Sequence, residues 1–326
     1  LIELISEDEF ISKADKVPLQ YLEWSLARKK GVEVLVRRDD LIDEHLSGNK
    51  FYKLFYNLLA AKENGYTQLL SFGGAWSNHI YALAAAAKIY GFNAIGVIRG
   101  ERPKRLSATL QDAEAWGMKL HFISRTDYRE RNSSALYEDL KNRYGDFFEI
   151  PEGGANAHGV KGSKVLGEAI YRQVESDYTS VCLACGTANT LAGVAAGLVD
   201  TQKLHSRNGN VVGFSVLKEA AKGELKSEIS LGHQVIVHQE TIGEQTSNWR
   251  LINGFHGGGY GKKLPSDMHK FMIEFERESK IQLDPVYTVK MCWGVKQLLE
   301  KNYWPRGSRL ILVHTGGLQG RRGFAL

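Results

Sequence analysis

The sequence predicts an α/β protein of two domains, each built on a parallel twisted sheet flanked by helices. Three observations carry that expectation. The chain has 326 residues, enough for one large or two medium domains at roughly 100 to 200 residues each. Short apolar runs alternate with amphipathic ones over most of its length, the rhythm of strand, crossover helix, strand. Glycines recur where a strand hands over to a helix or a helix stops.

The elements follow in order. From residue 67 the series is TQLLSF, the Ala-rich HIYALAAAAKIYG, NAIGVIRG, SATLQDAEAWG and MKLHFI, read as strand, helix, strand, helix, strand. Gly91 and Gly117 close its two helices, as left-handed C-terminal residues do. A second series begins after IPEGGANAHG: a helix near 160–175, the strand SVCLA, a Gly-rich turn, the helix TLAGVAAGL and the strand NVVGFSVL. A last helix covers about 288–301 and leads to the strand SRLILVHTGG. VEVLVRRDDL, within the first 50 residues, reads as a strand and polar loop that joins the second sheet. The larger domain is therefore expected to be discontinuous, 1–55 with 152–326, and the smaller to span 56–151. Two such sheets leave a cleft, where a ligand lies.

Composition excludes several function classes. Hydrophobic residues make up 43% and charged residues 24%, an ordinary globular balance far from disorder. Lys and Arg number 42 against 37 Asp and Glu, a formal charge of +5 spread without basic blocks, so no nucleic-acid partner is expected. Three cysteines, Cys182, Cys185 and Cys292, point to a reducing cytoplasm rather than a disulfide framework. The opening LIELISEDEF lacks a basic n-region, and no apolar run approaches about 18 residues, so neither secretion nor a membrane span is expected.

Four stretches carry chemistry. In SGNKFYKL (47–54), turn formers place Lys50 at the start of an amphipathic helix. The helix dipole opposes a positive charge there and burial lowers an amine pKa, which suits a lysine that must be neutral to react. A solvated surface lysine is the plainer alternative. In GGAWSNH (73–79) a strand ends at a double glycine, and Ser77 and Asn78 open a small-residue helix beside Trp76. Free amides and short polar side chains converge there, a site for an anion such as a substrate carboxylate, although Ser77 also reads as an ordinary N-cap. In CLACGTANT (182–190) a strand feeds the turn Gly186, Thr187, Ala188, Asn189 and Thr190 ahead of another small-residue helix. That is a nest for a phosphate, without the Walker lysine or a GxGxxG pattern. Cys182 and Cys185 form a C-x-x-C in it, with no second metal-ligand pair, so core packing is preferred over a redox or zinc site and no metal is expected. Finally GGGYGK (257–262), LDPVYT (283–288) and VHTGGLQG (313–320) offer Tyr260 and Tyr287 to a cleft, Thr288 at a helix start and Thr315 at a strand end. Ligands bind at strand ends in parallel sheets.

From VPLQ (17–20) through RRDDL, SGNKFYKL, GGAWSNH, the phosphate turn and DPVYT to HTGG, the chain resembles the fold type II pyridoxal-phosphate enzymes, the tryptophan synthase β-subunit type. Within them it is most similar to the D-cysteine desulfhydrase and 1-aminocyclopropane-1-carboxylate (ACC) deaminase branch. The resemblance implies pyridoxal 5'-phosphate in the cleft, bound covalently by Lys50 with Lys53 a near neighbour. It implies that Asn78 contacts the cofactor 3-hydroxyl, Ser77 the substrate carboxylate and the 186–190 turn the phosphate, with Tyr260 and Tyr287 on the substrate side. A homodimer and a small amino-acid substrate are implied as well. In members that open the cyclopropane ring, Glu typically follows the DPVY tyrosine and Leu precedes the last double glycine. Here those positions hold Thr288 and Thr315. A neutral hydroxyl beside the pyridine nitrogen makes the ring a weaker electron sink, which favours α,β-elimination, with Lys50 taking the α-proton and a 2-oxo acid and ammonia released. ACC deamination is the alternative reading, and a non-catalytic carrier of the cofactor a more distant one. Trp76 stands where both activities usually carry Gln, and QGRRGF (319–324) where a Pro-Ala stretch is common.

Overall fold

The computed structural model describes residues 1–174, 177–205, 209–216, 234, 248–260 and 263–324. The last two residues of the GGGYGK segment and position 217 of the predicted strand lie outside them. The chain opens with α1 (Glu7–Asp15), β1 (Leu19–Tyr21), α2 (Ser25–Lys30), β2 (Glu33–Arg37) and α3 (Asn49–Glu63). Next come β3 (Gln68–Gly73), α4 (Asn78–Tyr90), β4 (Asn93–Arg99), α5 (Ala108–Ala115), β5 (Lys119–Ile123), α6 (Arg125–Arg129), α7 (Ser134–Tyr144) and β6 (Phe148–Glu149). The second series is α8 (Ala157–Gln173), β7 (Ser180–Cys185), α9 (Asn189–His205), β8 (Asn210–Ser215) and β9 (Trp249–Ile252). It closes with α10 (Ser266–Ser279), α11 (Thr288–Glu300) and β10 (Arg309–Val313).

Two sheets result, a 6-stranded one in the order β1-β2-β10-β7-β8-β9 and a 4-stranded one in the order β5-β4-β3-β6. Every pairing is parallel except β1 with β2. The N-terminal β2 lies against β10, Arg309 to Val313 matching Glu33 to Arg37, so the early strand completes the late sheet as its misfit with the first series predicts. Both predicted stop glycines have positive φ, 82° at Gly91 and 94° at Gly117, the conformation that ends a helix without a Cβ penalty.

Each sheet reverses its strand order once. In the larger one β7, β8 and β9 run outward one way while β10 and β2 lie on the other side of β7; in the smaller one β4 and β5 lie on one side of β3 and β6 on the other. Crevices open at the carboxyl ends of strands at such reversals. The predicted turns at 73–79, 186–190 and 314–317 all follow strands at these points. One apolar cluster lines the side shared by both sheets, joining Phe51, Leu54 and Leu58 of α3 to Leu69, Ile80, Leu183 and Val313. A second packs α10 and α11 on the far face of the larger sheet. Among the described residues no helix is long and apolar enough to cross a membrane, and no group of three or more His, Cys, Asp or Glu side chains is placed to hold a metal ion.

Candidate active site

The site is built outward from the first turn of α3. Arg37, at the end of β2, is fully buried and pairs with Asp39 at 3.1 Å. Asp39 Oδ1 accepts the Tyr52 hydroxyl at 2.5 Å and its carbonyl accepts the Gly48 amide at 2.8 Å, so one aspartate grips both ends of the segment holding Lys50. Burial raises the Asp39 pKa, and Arg37 and Tyr52 pull it back. Gly48 caps α3 with φ 64° and ψ −151°, and a Cβ there would fall 2.0 Å from the Thr315 carbonyl oxygen. Only glycine lets the two backbones meet.

Lys50 sits half-buried in that first turn, and burial lowers its amine to about 8. Lys53, one turn on and on the same face, is buried. Its amine is held well below the usual lysine value, by burial first and then by the charge of Lys50. Lys53 Nζ donates to Thr187 Oγ1 at 3.3 Å. Among the described residues neither lysine forms an ion pair. An amine on this turn and a second one helical turn away, neither paired with a carboxylate among the described residues, make a place for an anion.

That turn is the predicted one. β7 ends at Cys185, Ala188 takes φ 61°, the Asn189 amide folds back on the Thr187 carbonyl at 2.8 Å, and α9 begins with its first-turn amides pointing outward. Asn49 Nδ2 donates to Thr190 Oγ1 at 3.0 Å, tying the lysine segment to the turn. Asn189 is fully buried, its Nδ2 on the Asn156 carbonyl at 3.3 Å and its Oδ1 without a partner among the described residues. Over the turn stand the two predicted tyrosines: a Cβ on Gly186 would lie 2.5 Å from Tyr260 Oη and 3.3 Å from Tyr287 Cε1. Their rings are 5.7 Å apart. Burial raises both phenols, Tyr260 to about 12 and Tyr287 further, so both are proton donors at neutral pH. Lys290 Nζ steadies their loop by donating to the Gly259 carbonyl at 3.1 Å.

From the smaller sheet, Ser77 caps α4, its Oγ accepting the Ile80 amide at 3.2 Å. A Cβ on Gly73 would strike Ile80 and Ser77, which is why the strand ends on glycine. Asn78 Oδ1 accepts Gln319 Nε2 at 2.8 Å. His79 is buried, its Nε2 2.9 Å from Ser71 Oγ and its Nδ1 without a partner among the described residues. Since Ser71 gives its hydrogen to the Ile150 carbonyl at 2.6 Å, the imidazole proton is on Nε2. Burial, then Lys50 and Lys53, hold this imidazole neutral. Trp76 is at the rim, 41% exposed, with Gly323 against its indole.

The two threonines part company. Thr315 presents its carbonyl to the Asn49 amide at 3.3 Å, beside Lys50. Thr288 is fully buried; its Oγ1 accepts the Asp284 amide at 2.7 Å and returns its hydrogen to the Asp284 carbonyl at 3.2 Å, so the hydroxyl is spent within its own turn. The C-x-x-C is split by the strand: Cys182 packs in the outer cluster and Cys185 in the inner one, on opposite faces as a three-residue offset requires. Burial pushes the Cys185 thiol up to about 11 and Cys182 higher still, which leaves neither reactive. Sequence reasoning missed Gly154, which lies against both Lys53 and His79, and Gln319. The double glycine of IPEGGANAHG was the available signal for the first; nothing local marked the second.

The family described as pyridoxal-phosphate dependent enzyme matches residues 14–316. The chain belongs to that family. A Salmonella typhi D-cysteine desulfhydrase is 25% identical over 92% of this chain and 91% of its own. The Arabidopsis thaliana mitochondrial bifunctional D-cysteine desulfhydrase/1-aminocyclopropane-1-carboxylate deaminase is 26% identical over 93% of this chain and 77% of its own. A crystal structure of an ACC deaminase homologue superposes with a TM-score of 0.79 at 26% identity, covering 97% of each chain. These are the proteins it is similar to, and the cofactor of its family is pyridoxal phosphate. The residues present fit that group: an amine lowered toward neutrality, a second amine on the turn at a helix N-terminus, and first-turn amides suited to a phosphate.

Proposed function

We propose that this enzyme is a lyase of the D-cysteine desulfhydrase kind, eliminating a β-substituent from a small amino acid to give a 2-oxo acid and ammonia. The observation that carries the reading is the pair of lysines whose amines burial lowers, Lys50 and Lys53, one helical turn apart on a segment tied to the 186–190 turn through Lys53 Nζ and Asn49 Nδ2. Pyridoxal phosphate, when bound, supplies a ring that withdraws electrons from the substrate α-carbon. Around it the turn of Gly186 to Thr190, with the amides of Gly186, Thr187 and Thr190 and with Lys53, would hold the phosphate. Lys50 would anchor the group covalently, and its neutral Nζ would accept the substrate α-proton. Ser77, whose hydrogen is not used by its cap bond, binds the substrate carboxylate, and Asn78 offers Nδ2 to the cofactor's ring oxygen. Tyr260 and Tyr287 close the pocket from the larger sheet and Thr315 borders it.

One feature supports elimination: position 288 carries a neutral threonine already bonded to Asp284, which gives a ring nitrogen no carboxylate, and charge at the α-carbon is then better passed to a leaving group. The sequence relatives include both activities and favour neither. ACC deamination is the second reading, favoured by the likeness to an ACC deaminase homologue and by the paired phenols of Tyr260 and Tyr287, which could give a proton to an opened ring. The reading also divides the chain into 1–55 with 152–326 and 56–151, and places a homodimer in the cytoplasm. Steady-state release of pyruvate from D-cysteine and β-chloro-D-alanine, beside 2-oxobutanoate from ACC on one preparation, tests it. Elimination substrates are expected to turn over with ACC largely untouched; ACC turning over as fast as the best of them would transfer the assignment to the second reading.

A further inference from the structure

We infer that Gln319 is a positioning residue that fixes which end of the Asn78 amide faces the site. The inference rests on the proposed contact between Asn78 and the cofactor. Gln319 belongs to the C-terminal 3-10 turn Leu318–Gly323, and its Nε2 donates to Asn78 Oδ1 at 2.8 Å. On the other side of the amide, a Cβ at Gly317 would lie 2.5 Å from Asn78 Nδ2 and 3.0 Å from Asp284 Oδ2. Asn78 Nδ2 and the buried Asp284 carboxylate thus border the same space beside Gly317, and the reverse orientation, which would turn Oδ1 toward that space, is disfavoured. A donor on one side and a carboxylate on the other select the same orientation, leaving Asn78 Nδ2, which has no hydrogen-bond partner among the described residues, as a donor for an anionic oxygen.

The turn that delivers Gln319 is anchored on both sides. Arg321 binds Glu276 of α10 at 2.5 and 3.2 Å and the Leu283 carbonyl at 2.5 Å, while Arg322 pairs with Asp112 of α5. Gly323 packs on Trp76. Gln319 therefore crosses from the larger sheet's side to the first residue of α4 on a backbone that cannot drift, as a positioning contact requires. The segment is QGRRGF, where this chain departs from the Pro-Ala stretch common in the group it resembles.

The test uses the holoenzyme, with the cofactor's dissociation constant and the pH midpoint of its visible absorption band as readouts. Gln319→Glu sets a carboxylate against Asn78 Oδ1 and turns the amide over; cofactor affinity is expected to fall about tenfold, the effect of one lost hydrogen bond to a charged group, and the midpoint to move by about one unit. Gln319→Leu removes the donor without the repulsion and is expected to fall between; it also decides the matter if Gln319→Glu does not fold. Arg322→Ala, on the same turn, leaves the Arg321 bonds to Glu276 and the Leu283 carbonyl in place and is expected to keep both wild-type values. If both Gln319 variants match the wild type while Asn78→Ala loses affinity, Asn78 stands and the role of Gln319 is overturned. If Arg322→Ala loses as much as Gln319→Glu, anchoring of the turn and not amide orientation is responsible, and the inference fails. If Asn78→Ala changes neither readout, the proposed contact fails and the inference with it.

Discussion

Lys50 and Lys53 lie one helical turn apart, both with amines lowered by burial, and the proposed chemistry uses them differently. Lys50 reacts through its neutral amine; Lys53, already bonded to Thr187, serves as a fixed donor to an anion. Such an amine stabilises the loaded enzyme and destabilises the empty one. The Lys53 pKa lies well below its usual value in the folded chain, so between the folded and ordinary values the unfolded chain binds more protons. Stability therefore rises with pH across that window, and below it the charged form carries its full desolvation cost. Lys53→Met is expected to raise the melting temperature of cofactor-free protein at pH 7, by about 1 kcal/mol or more of stability. The gain should shrink as the pH approaches the ordinary lysine value, while cofactor affinity is lost. A lower melting temperature at pH 7, followed by circular dichroism, would show that the amine is not an uncompensated charge. His79 near it carries the complementary feature, a neutral imidazole whose Nδ1 has no hydrogen-bond partner among the described residues.

At the scale of elements, the meeting of the β10 exit with the start of α3 has the least tolerance. Gly48 combines φ 64° with a position where a Cβ would fall 2.0 Å from the Thr315 carbonyl oxygen, and a Cβ on Gly316 would in turn lie 3.0 Å from Gly48 Cα. Gly48→Ala must shift one backbone or the other, and is expected to cost about 2 to 4 kcal/mol in denaturant unfolding, with weakened cofactor binding because Lys50 moves with its helix. Wild-type affinity and stability in that variant would mean the approach is loose. The strands and helices were legible because apolar period and stop glycines are local signals, as Gly91 and Gly117 illustrate. The placement of β2 was legible because VEVLVRRDDL fitted no neighbour in its own series. The partners of the site were not. DPVYT marks a helix start, but nothing in it says that Asp284 consumes the Thr288 hydroxyl. SGNKFYKL puts Lys53 beside Lys50, yet its contact with Thr187 depends on how β7 and α3 pack. Ser77 was read both as a cap and as a ligand group, and its geometry serves the first while leaving a hydrogen for the second.

Across the whole molecule, the site depends on segments from both ends of the chain held by one buried network. Arg37 reaches Asp39, Tyr52, the Ala14 carbonyl and Gln173, joining α1, β2, α3 and α8. A buried pair of this kind adds little net stability against an apolar substitute but fixes one arrangement, since removing either partner strands the other. It sets the angle at which α3 enters, and so the direction in which Lys50 points between the two sheets. The central claim is that all these segments converge on one reacting amine. Borohydride reduction of the holoenzyme followed by peptide mass mapping tests it most directly. The cofactor is expected on Lys50 alone, and label recovered on Lys53 or any other lysine would contradict the account.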